Sequence, residues 1–451
     1  MATIKAEPTA GLCYAPNEEL YWDREALDQE VERVFDICHG CRMCFNLCPS
    51  FPSLFDSVDR YDGDVRQLTR EEKDEVVDLC YQCKLCYVKC PYTKDDGHSF
   101  DIDFPRLLLR YNAQRAKRKG IAARERMLGN PVALGKAASK IAGIANWANT
   151  VSFHRRIMET LVGIHRAKLL PEFSRKTFSG WAKSRISTVR DVKAREVVLF
   201  HTCFVDYNAP GIGRDAVEVL ERNGVRVLSP AQTCCGMPAM DGGDVEFARQ
   251  QAERNVEALT PFVEKGLRVL AINPTCSFML KKEYPELVSP ALIDKAKALS
   301  AATRDVCEYL FELKKGDAWS REFVSSPGEI AYHIPCHLKA QNIGFRSRDM
   351  MKTIPGAKVR LVDRCCGHDG TWAMKTENFD LSMKVGKRAF DEIGAGGMMV
   401  TDCPLAAIHF EQGTGTRPLH PLQVLARAYR GEGYEDVGGP AAGPPTETND
   451  A

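Results

Sequence analysis

Cys38-His39-Gly40-Cys41-Arg42-Met43-Cys44-Phe45-Asn46-Leu47-Cys48-Pro49 is one of two stretches that decide this chain. The other, Cys80-Tyr81-Gln82-Cys83-Lys84-Leu85-Cys86-Tyr87-Val88-Lys89-Cys90-Pro91, repeats its cysteine and proline positions residue for residue. Both read C-x2-C-x2-C-x3-C-P. Three thiolates at this spacing wrap one face of an iron–sulfur cubane, and the fourth reaches a neighbouring cluster. Zinc is the competing metal, because zinc ribbons also use C-x2-C pairs. Two identical four-thiol runs, each closed by a proline, are hard to obtain as zinc sites. The sequence therefore predicts a protein that moves electrons.

The run resembles that of bacterial ferredoxins. The resemblance implies that Cys38, Cys41, Cys44 and Cys90 hold one [4Fe-4S] cluster, and that Cys80, Cys83, Cys86 and Cys48 hold the second. The stretch between Cys48 and Cys80 is longer than a compact ferredoxin needs. Its charged residues (Asp64, Arg66, Arg70, Glu71, Glu72, Lys73, Asp74 and Glu75) suit exposed helix. A helical ferredoxin domain over residues 1–105 is expected, rather than the small β-rich kind.

A chain of 451 residues is long enough for two or three domains, each with its own core. Lys+Arg 61 against Asp+Glu 60 gives no global pull towards nucleic acid. Met1 to Pro16 has no basic region followed by an apolar run, so export is not expected. Eighteen cysteines without such a signal point to free thiols in a reducing compartment, the cytoplasm by default. No apolar stretch approaches the roughly 18 residues of a spanning helix.

Residues 106–195 read as a basic helical linker. From Arg106 to Arg190 there are 19 Lys/Arg and 3 Asp/Glu (Glu125, Glu159, Glu172). The apolar residues Val132, Leu134, Ile141, Ile144, Trp147, Val151, Phe153, Ile157, Leu161 and Ile164 can be arranged on helices with basic residues beside them. Such helices can dock peripherally on an anionic membrane, here the inner face of the cytoplasmic membrane. The favoured reading is a helical hairpin that packs on the next domain and turns its basic face to water or to an acidic partner. No nucleic-acid module accompanies the charge.

The second half repeats itself. Val197–Phe200 reads as a buried strand before Cys203, Val225–Leu228 leads to Cys234-Cys235-Gly236, and Arg268–Ile272 runs into Cys276. The second copy places Ile330–His333 before Cys336, Val359–Val362 before Cys365-Cys366-Gly367, and Met398–Thr401 before Cys403. Strands alternating with helices predict an α/β fold with parallel sheets, whose ligands gather beyond the carboxyl ends of the strands. The modules are placed at residues 196–315 and 328–430, with a disordered Gly/Pro-rich tail at 431–451. Neighbouring side chains on a strand point to opposite faces. Each cysteine pair must therefore sit on a turn, and Gly236 and Gly367 supply it.

C…CCG…C, twice, resembles the cysteine-rich CCG modules of heterodisulfide reductase and its relatives. Two ferredoxin runs followed by two such modules resemble a family of iron–sulfur oxidoreductase subunits. It includes those of anaerobic glycerol-3-phosphate dehydrogenase, D-type heterodisulfide reductase and glycolate oxidase. The likeness covers roughly residues 30 to 430. Several members close each module with C-x2-C and five cysteines, associated with a non-cubane cluster. Here Met279 and Ala406 stand at that place, so each module offers four thiols. CCG site 1 would be Cys203, Cys234, Cys235 and Cys276; site 2 would be Cys336, Cys365, Cys366 and Cys403. Each is enough for a further cluster, or for zinc in one of them.

His201 lies near the first set, and His333, His337 and His368 near the second, as ligands, proton relays or backbone partners. Site 2 is taken as the reactive one, with Cys336, Cys365, Cys366, Cys403, His337 and His368 as its catalytic residues. Cys13 and Cys307 read as ordinary buried thiols. Gly211-Ile212-Gly213-Arg214-Asp215-Ala216 matches a dinucleotide fingerprint but does not directly follow a strand, so no nicotinamide or flavin site is expected. The resemblance implies an electron-transfer subunit, with a flavoprotein dehydrogenase acting on glycerol-3-phosphate or a 2-hydroxy acid as donor. The acceptor would be a quinone, a cytochrome or a small redox protein. The alternatives are a self-contained disulfide or peroxide-linked reductase using site 2, and a non-catalytic sensing or assembly subunit.

Overall fold

Asp23 starts the first long helix, Arg24–Cys41, by accepting a hydrogen bond from the Ala26 N–H, which satisfies an otherwise orphaned donor. The computed structural model describes residues 5–191, 194–316, 318–434 and 437. The expected tail lies, beyond 434 and apart from 437, outside them. Leu27, Val31, Val34 and Phe35 recur at helical spacing along the buried face of Arg24–Cys41. They join Phe51, Leu54 and Val58 of the helix Ser50–Asp59 and Leu107 and Leu108 of the helix Phe104–Lys119 in one core. The charged stretch forms the helix Arg70–Asp78, opened by a Thr69/Glu72 capping box. Cys38, Cys44, Cys48, Cys80 and Cys90 pack against this helical core.

β1 (Arg195–Phe200), β2 (Val225–Leu228), β3 (Arg268–Ala271) and β4 (Thr303–Asp305) form a parallel sheet in the order β2-β1-β3-β4. β5 (Glu329–His333), β6 (Lys358–Val362) and β7 (Met398–Thr401) form a second, β6-β5-β7, also parallel. Where a fourth strand would continue it, Leu419 makes one parallel bridge to Val400. Strand order reverses at β1 and at β5, and the crevice at the carboxyl end of such a strand is where ligands bind. The modules interlock. The helix Val306–Lys315 packs on Arg346–Met351, and Pro421–Arg430 packs on Pro210–Arg222, where Arg430 pairs with Asp215 and Glu218. One apolar core runs through both, from Leu199 and Leu220 to Tyr332 and Leu425.

The basic linker is helical and Lys136, Lys140 and Arg156 face water as expected, but most of its apolar residues do not pack inward. Leu134, Ile141, Ile144, Trp147, Phe153, Ile157 and Leu161 are exposed; of the ten apolar residues, Ile164 alone is buried. The helices Pro131–Lys140, Ala142–Thr150 and Ser152–Val162 turn small residues inward instead: Gly135, Ala138, Ser139 and Ala142. A Cβ on Gly135 would lie 2.4 Å from the Tyr207 ring, so close approach selects glycine there. Arg155 is buried with its guanidinium donating to the carbonyls of His165, Arg166 and Lys168.

The turns after β2 and β6 carry the paired cysteines. Gly236 and Gly367 have φ of +96° and +70°, conformations that cost most side chains energy. A Cβ on Gly367 would also meet the Ser382 carbonyl oxygen at 2.2 Å and the Gly386 nitrogen at 2.8 Å. Gly367→Ala should therefore cost on the order of 3 kcal/mol or more, from strain plus overpacking. Gly224→Ala, at φ +70° with open space around it, should lose about 1–2 kcal/mol. Denaturant unfolding followed by circular dichroism compares the two. Equal losses would contradict the close approach.

Candidate metal centres

Each ferredoxin run folds around a left-handed residue. Arg42, directly after Cys41, has φ +52° and ends the helix Arg24–Cys41; Lys84, directly after Cys83, has φ +63°. The reversal lets the third thiol of each run rejoin the first two. Burial, then the thiols of Cys44, Cys90 and Cys41, holds Cys38 well above the ordinary cysteine range. Burial, then Cys83, Cys80 and Cys48, does the same to Cys86. Cys90 acts electrostatically on Cys38, and Cys48 on Cys83 and Cys86, so the fourth cysteine of each run lies near the other run. Thiols this close resist ionising together unless a cation compensates them, and soft thiolate sets suit iron–sulfur clusters or zinc. The donors present fit such groups.

In the first module Cys203, Cys234, Cys235 and Cys276 converge in a buried nest, with Cys203 and Cys234 sulfurs 3.9 Å apart. Hydrogen bonds from Cys203 and Cys235 favour the thiolate on Cys234, while those two thiols are pushed up. Met279 is fully buried in the apolar core behind this nest. His201 turns aside, with Nδ1 3.1 Å from Ser229 Oγ. Burial pushes it down to about 4 despite Asp206 nearby.

The second set, Cys336, Cys365, Cys366 and Cys403, lies against the ferredoxin half. Tyr81, inside the second run, places its hydroxyl 3.4 Å from Cys365 Sγ. Its ring centroid is 5.0 Å from that of Trp372, whose indole N–H donates to the Asp78 carbonyl at 2.9 Å. Burial, then Asp369 and Cys83, raises Cys336. A cavity of about 50 Å³ is lined by Tyr81, Cys83, Thr275, Cys336, Cys365 and Cys403 and so touches three parts of the chain. The Ala406 N–H points to Cys403 Sγ at 3.5 Å.

The histidines divide. His333 lies 3.1 Å from Thr401 Oγ1 and 3.2 Å from the Arg364 carbonyl, so both ring nitrogens hold loops. His337 bridges Thr275 Oγ1 at 2.9 Å and the Gln82 carbonyl at 3.0 Å, joining the first module, the second module and the second ferredoxin run. Burial pushes His333 to about 3 and His337 to about 4, so both stay neutral. Of the three, His368 alone has ring nitrogens without a partner. Tyr81, Trp372, Asp369, Lys168 and His409 escaped the sequence reading. Lys168 is buried with Nζ 2.6 Å from His409 Nδ1, and burial brings it down to about 7 although Cys366 opposes the shift. It was hidden in a segment read only for its total charge.

The remaining expectations resolve simply. Cys13 and Cys307 are buried. Gly211 to Ala216 lie inside the helix Pro210–Arg222, where a Cβ on Gly213 would lie 2.5 Å from Phe178. That glycine serves packing, and the segment is not a phosphate-binding turn. Among the described residues no helix is long and apolar enough to cross a membrane.

Residues 30–106 match the family model of a 4Fe-4S dicluster domain, and residues 197–281 and 330–411 each match that of a cysteine-rich domain. One subunit of the anaerobic glycerol-3-phosphate dehydrogenase of Escherichia coli strain K12 is 33% identical over 301 residues, 65% of this chain and 74% of the relative. Lactate utilization protein A of Bacillus pumilus is 30% identical over 217 residues, 46% and 87%. One subunit of the fumarate reductase (CoM/CoB) of Methanothermobacter marburgensis is 25% identical over 311 residues, 65% and 57%.

Anaerobically purified protein should contain at least about eight irons per chain from the two ferredoxin runs. Cys41→Ser and Cys83→Ser should each lose about four, measured by iron analysis with visible absorption. Stoichiometric zinc and no iron–sulfur absorption would contradict the assignment.

Proposed function

The chain belongs to the family of iron–sulfur oxidoreductase subunits that includes its relative from anaerobic glycerol-3-phosphate dehydrogenase, and on that premise we propose that it relays electrons from a flavoprotein dehydrogenase to a quinone or similar acceptor. The donor's substrate would be glycerol-3-phosphate or a 2-hydroxy acid. The ligand sets are Cys38/Cys41/Cys44/Cys90, Cys80/Cys83/Cys86/Cys48, Cys203/Cys234/Cys235/Cys276 and Cys336/Cys365/Cys366/Cys403. Bound there, iron–sulfur clusters supply one-electron storage at potentials set by burial and by hydrogen bonds to sulfur.

The observation that carries the reading is the contact between Tyr81 and Cys365. It makes the second ferredoxin run and the C-terminal module neighbours. Tyr81 and Trp372 are buried there, with Cys48, Cys83 and Cys365 packed against them. His337 fixes the Gln82 carbonyl beside Cys83. The Gly367 N–H, 3.4 Å from Cys365 Sγ, and the Ala406 N–H supply hydrogen bonds to sulfur. The N-terminal set, enclosed in its own core, serves as a structural or relay site.

Cys366→Ser should abolish electron delivery to the acceptor while leaving the ferredoxin spectrum and fold intact. Cys235→Ser should instead weaken stability or slow internal transfer. Stopped-flow reoxidation of the reduced full chain by a soluble quinone, with and without the co-purified flavoprotein, reads this out. Normal turnover of Cys366→Ser would overturn the C-terminal exit.

The exposed linker face supports peripheral docking on an anionic membrane, with the protein in the cytoplasm. Ile144, Trp147, Phe153 and Leu161 are 59–78% exposed. Lys136, Lys140 and Arg156 are exposed alongside them, a combination of apolar wedge and cationic flank that suits the headgroup boundary. Sedimentation with phosphatidylglycerol vesicles should capture the protein, and phosphatidylcholine vesicles should not. Ile144→Glu with Phe153→Glu should weaken capture about tenfold or more. Unchanged capture overturns this docking face, and so does loss of the flavoprotein without any vesicle binding, which would make it a protein interface.

A further inference from the structure

Behind the paired cysteines the two modules part company. The first continues Cys235-Gly236-Met237-Pro238, the second Cys366-Gly367-His368-Asp369. Met237 is buried and apolar where the second module has His368; the first module's buried carboxylate, Asp241, comes later in the chain and lies close enough to act on Asp369. The Asp369 side chain is 9% exposed, and its Oδ2 has no hydrogen-bond partner. A carboxylate oxygen of Asp369, the sulfur of Cys336 and a ring nitrogen of His337 all lie within 4.8 Å of one another. The same carboxylate acts electrostatically on Cys365, Cys366 and Cys403. Its geometric contact is with Cys336 and His337, and its charge reaches the other three thiols of the set.

A buried carboxylate is costly unless a cation meets it or it takes up a proton, and burial, then Asp241, holds Asp369 well above the usual carboxylate range against Lys84 and a Gly370 backbone hydrogen bond. Among the described residues no cationic side chain hydrogen-bonds to Asp369 Oδ2. His337 Nε2 is 3.9 Å away and engaged by the Gln82 carbonyl at 3.0 Å. Lys84 acts on Asp369 electrostatically, but its Nζ donates to Gln82 Oε1 at 2.8 Å. Cys80 and Cys83 also feel Asp369, but four thiols already complete their set. The C-terminal set offers four thiols, with Ala406 three residues after Cys403, where the five-cysteine pattern of several family members would place another. His368 is the rival donor. It lines the same cavity as the four thiols, its ring centroid 5.3 Å from that of His409, but the donor atoms that come within 4.8 Å of one another there are those of Cys336, His337 and Asp369.

We propose that Asp369 is the fifth donor of the C-terminal site, which is a mixed thiolate–carboxylate metal centre, while the N-terminal site is all-thiolate. This rests on the reading that the C-terminal module holds metal. A hard oxygen donor among soft thiolates marks one metal position as different from the rest. It gives that position a ligand that can yield to an incoming group more readily than a thiolate. The two modules are therefore not equivalent copies.

The test uses full-length protein labelled with a Mössbauer-active iron isotope. Subtracting the spectrum of Cys366→Ser from wild type isolates the C-terminal centre. It should contain an iron with the larger isomer shift of oxygen ligation. Asp369→Cys should move that iron into the all-sulfur range, and Asp369→Asn should alter or remove it, with the ferredoxin signals unchanged. Should Asp369→Asn fail to fold, by loss of circular dichroism and ferredoxin absorption, Asp369→Cys carries the test. A zinc centre is judged at the zinc X-ray absorption edge, where an oxygen ligand lost in Asp369→Cys supports the proposal and sulfur alone overturns it. A C-terminal spectrum identical in wild type and Asp369 variants also overturns it. If Cys366→Ser removes neither iron nor zinc, the underlying reading fails, and the proposal with it, by a distinguishable result.

Discussion

Buried thiols that crowd one another are the constraint on which this structure depends. Cys80 is pushed up to about 11, chiefly by burial. Ionising such a group at neutral pH costs on the order of 5 kcal/mol. Four of them together cost far more, and only a bound metal can offset it: structural zinc sites release roughly 10–16 kcal/mol. Most of the sixteen thiols in the four sets face that penalty. The fold is therefore organised to bring thiols from distant positions together and to keep water away once they meet.

Two local devices do the gathering. In the helical half, Arg42 and Lys84 reverse the chain after the second cysteine of each run, and the fourth cysteine of each run lies near the other run. In the α/β half, strand order reverses at β1 and β5, so loops from three strands meet at one crevice. The interlocked helices Val306–Lys315 and Pro421–Arg430 then hold the modules in one core. The C-terminal crevice faces Tyr81, and the N-terminal one is joined to it through Thr275, Phe278 and Ser277 against His337 and Gln341. That asymmetry separates two modules that look alike in their cysteines.

Much of this was legible in the sequence, for a definite reason. Metal ligands are few in type and fixed in spacing, so the cysteine sets could be proposed before any fold was known. The strands β1 to β3 and β5 to β7 were legible because buried parallel strands read as short apolar runs. The linker misled because periodicity shows that a helix has two faces, not which one is covered. There Gly135 and Ala138 pack inward and Ile144 and Trp147 face out. Asp369 and Tyr81 were invisible for another reason: their partners are distant in sequence, and only the folded chain brings Tyr81 to Cys365 and Asp369 to Cys336.

The account centres on one junction, between the second ferredoxin set and the C-terminal set. Electron paramagnetic resonance of the full chain, recorded during a stepwise reductive titration, tests it most directly. Two paramagnetic centres across the Tyr81–Cys365 contact should couple. Their signals should be split or broadened when both are paramagnetic and sharpen when either is silenced. Independent, unperturbed signals from the second ferredoxin cluster and the C-terminal centre throughout the titration would contradict it.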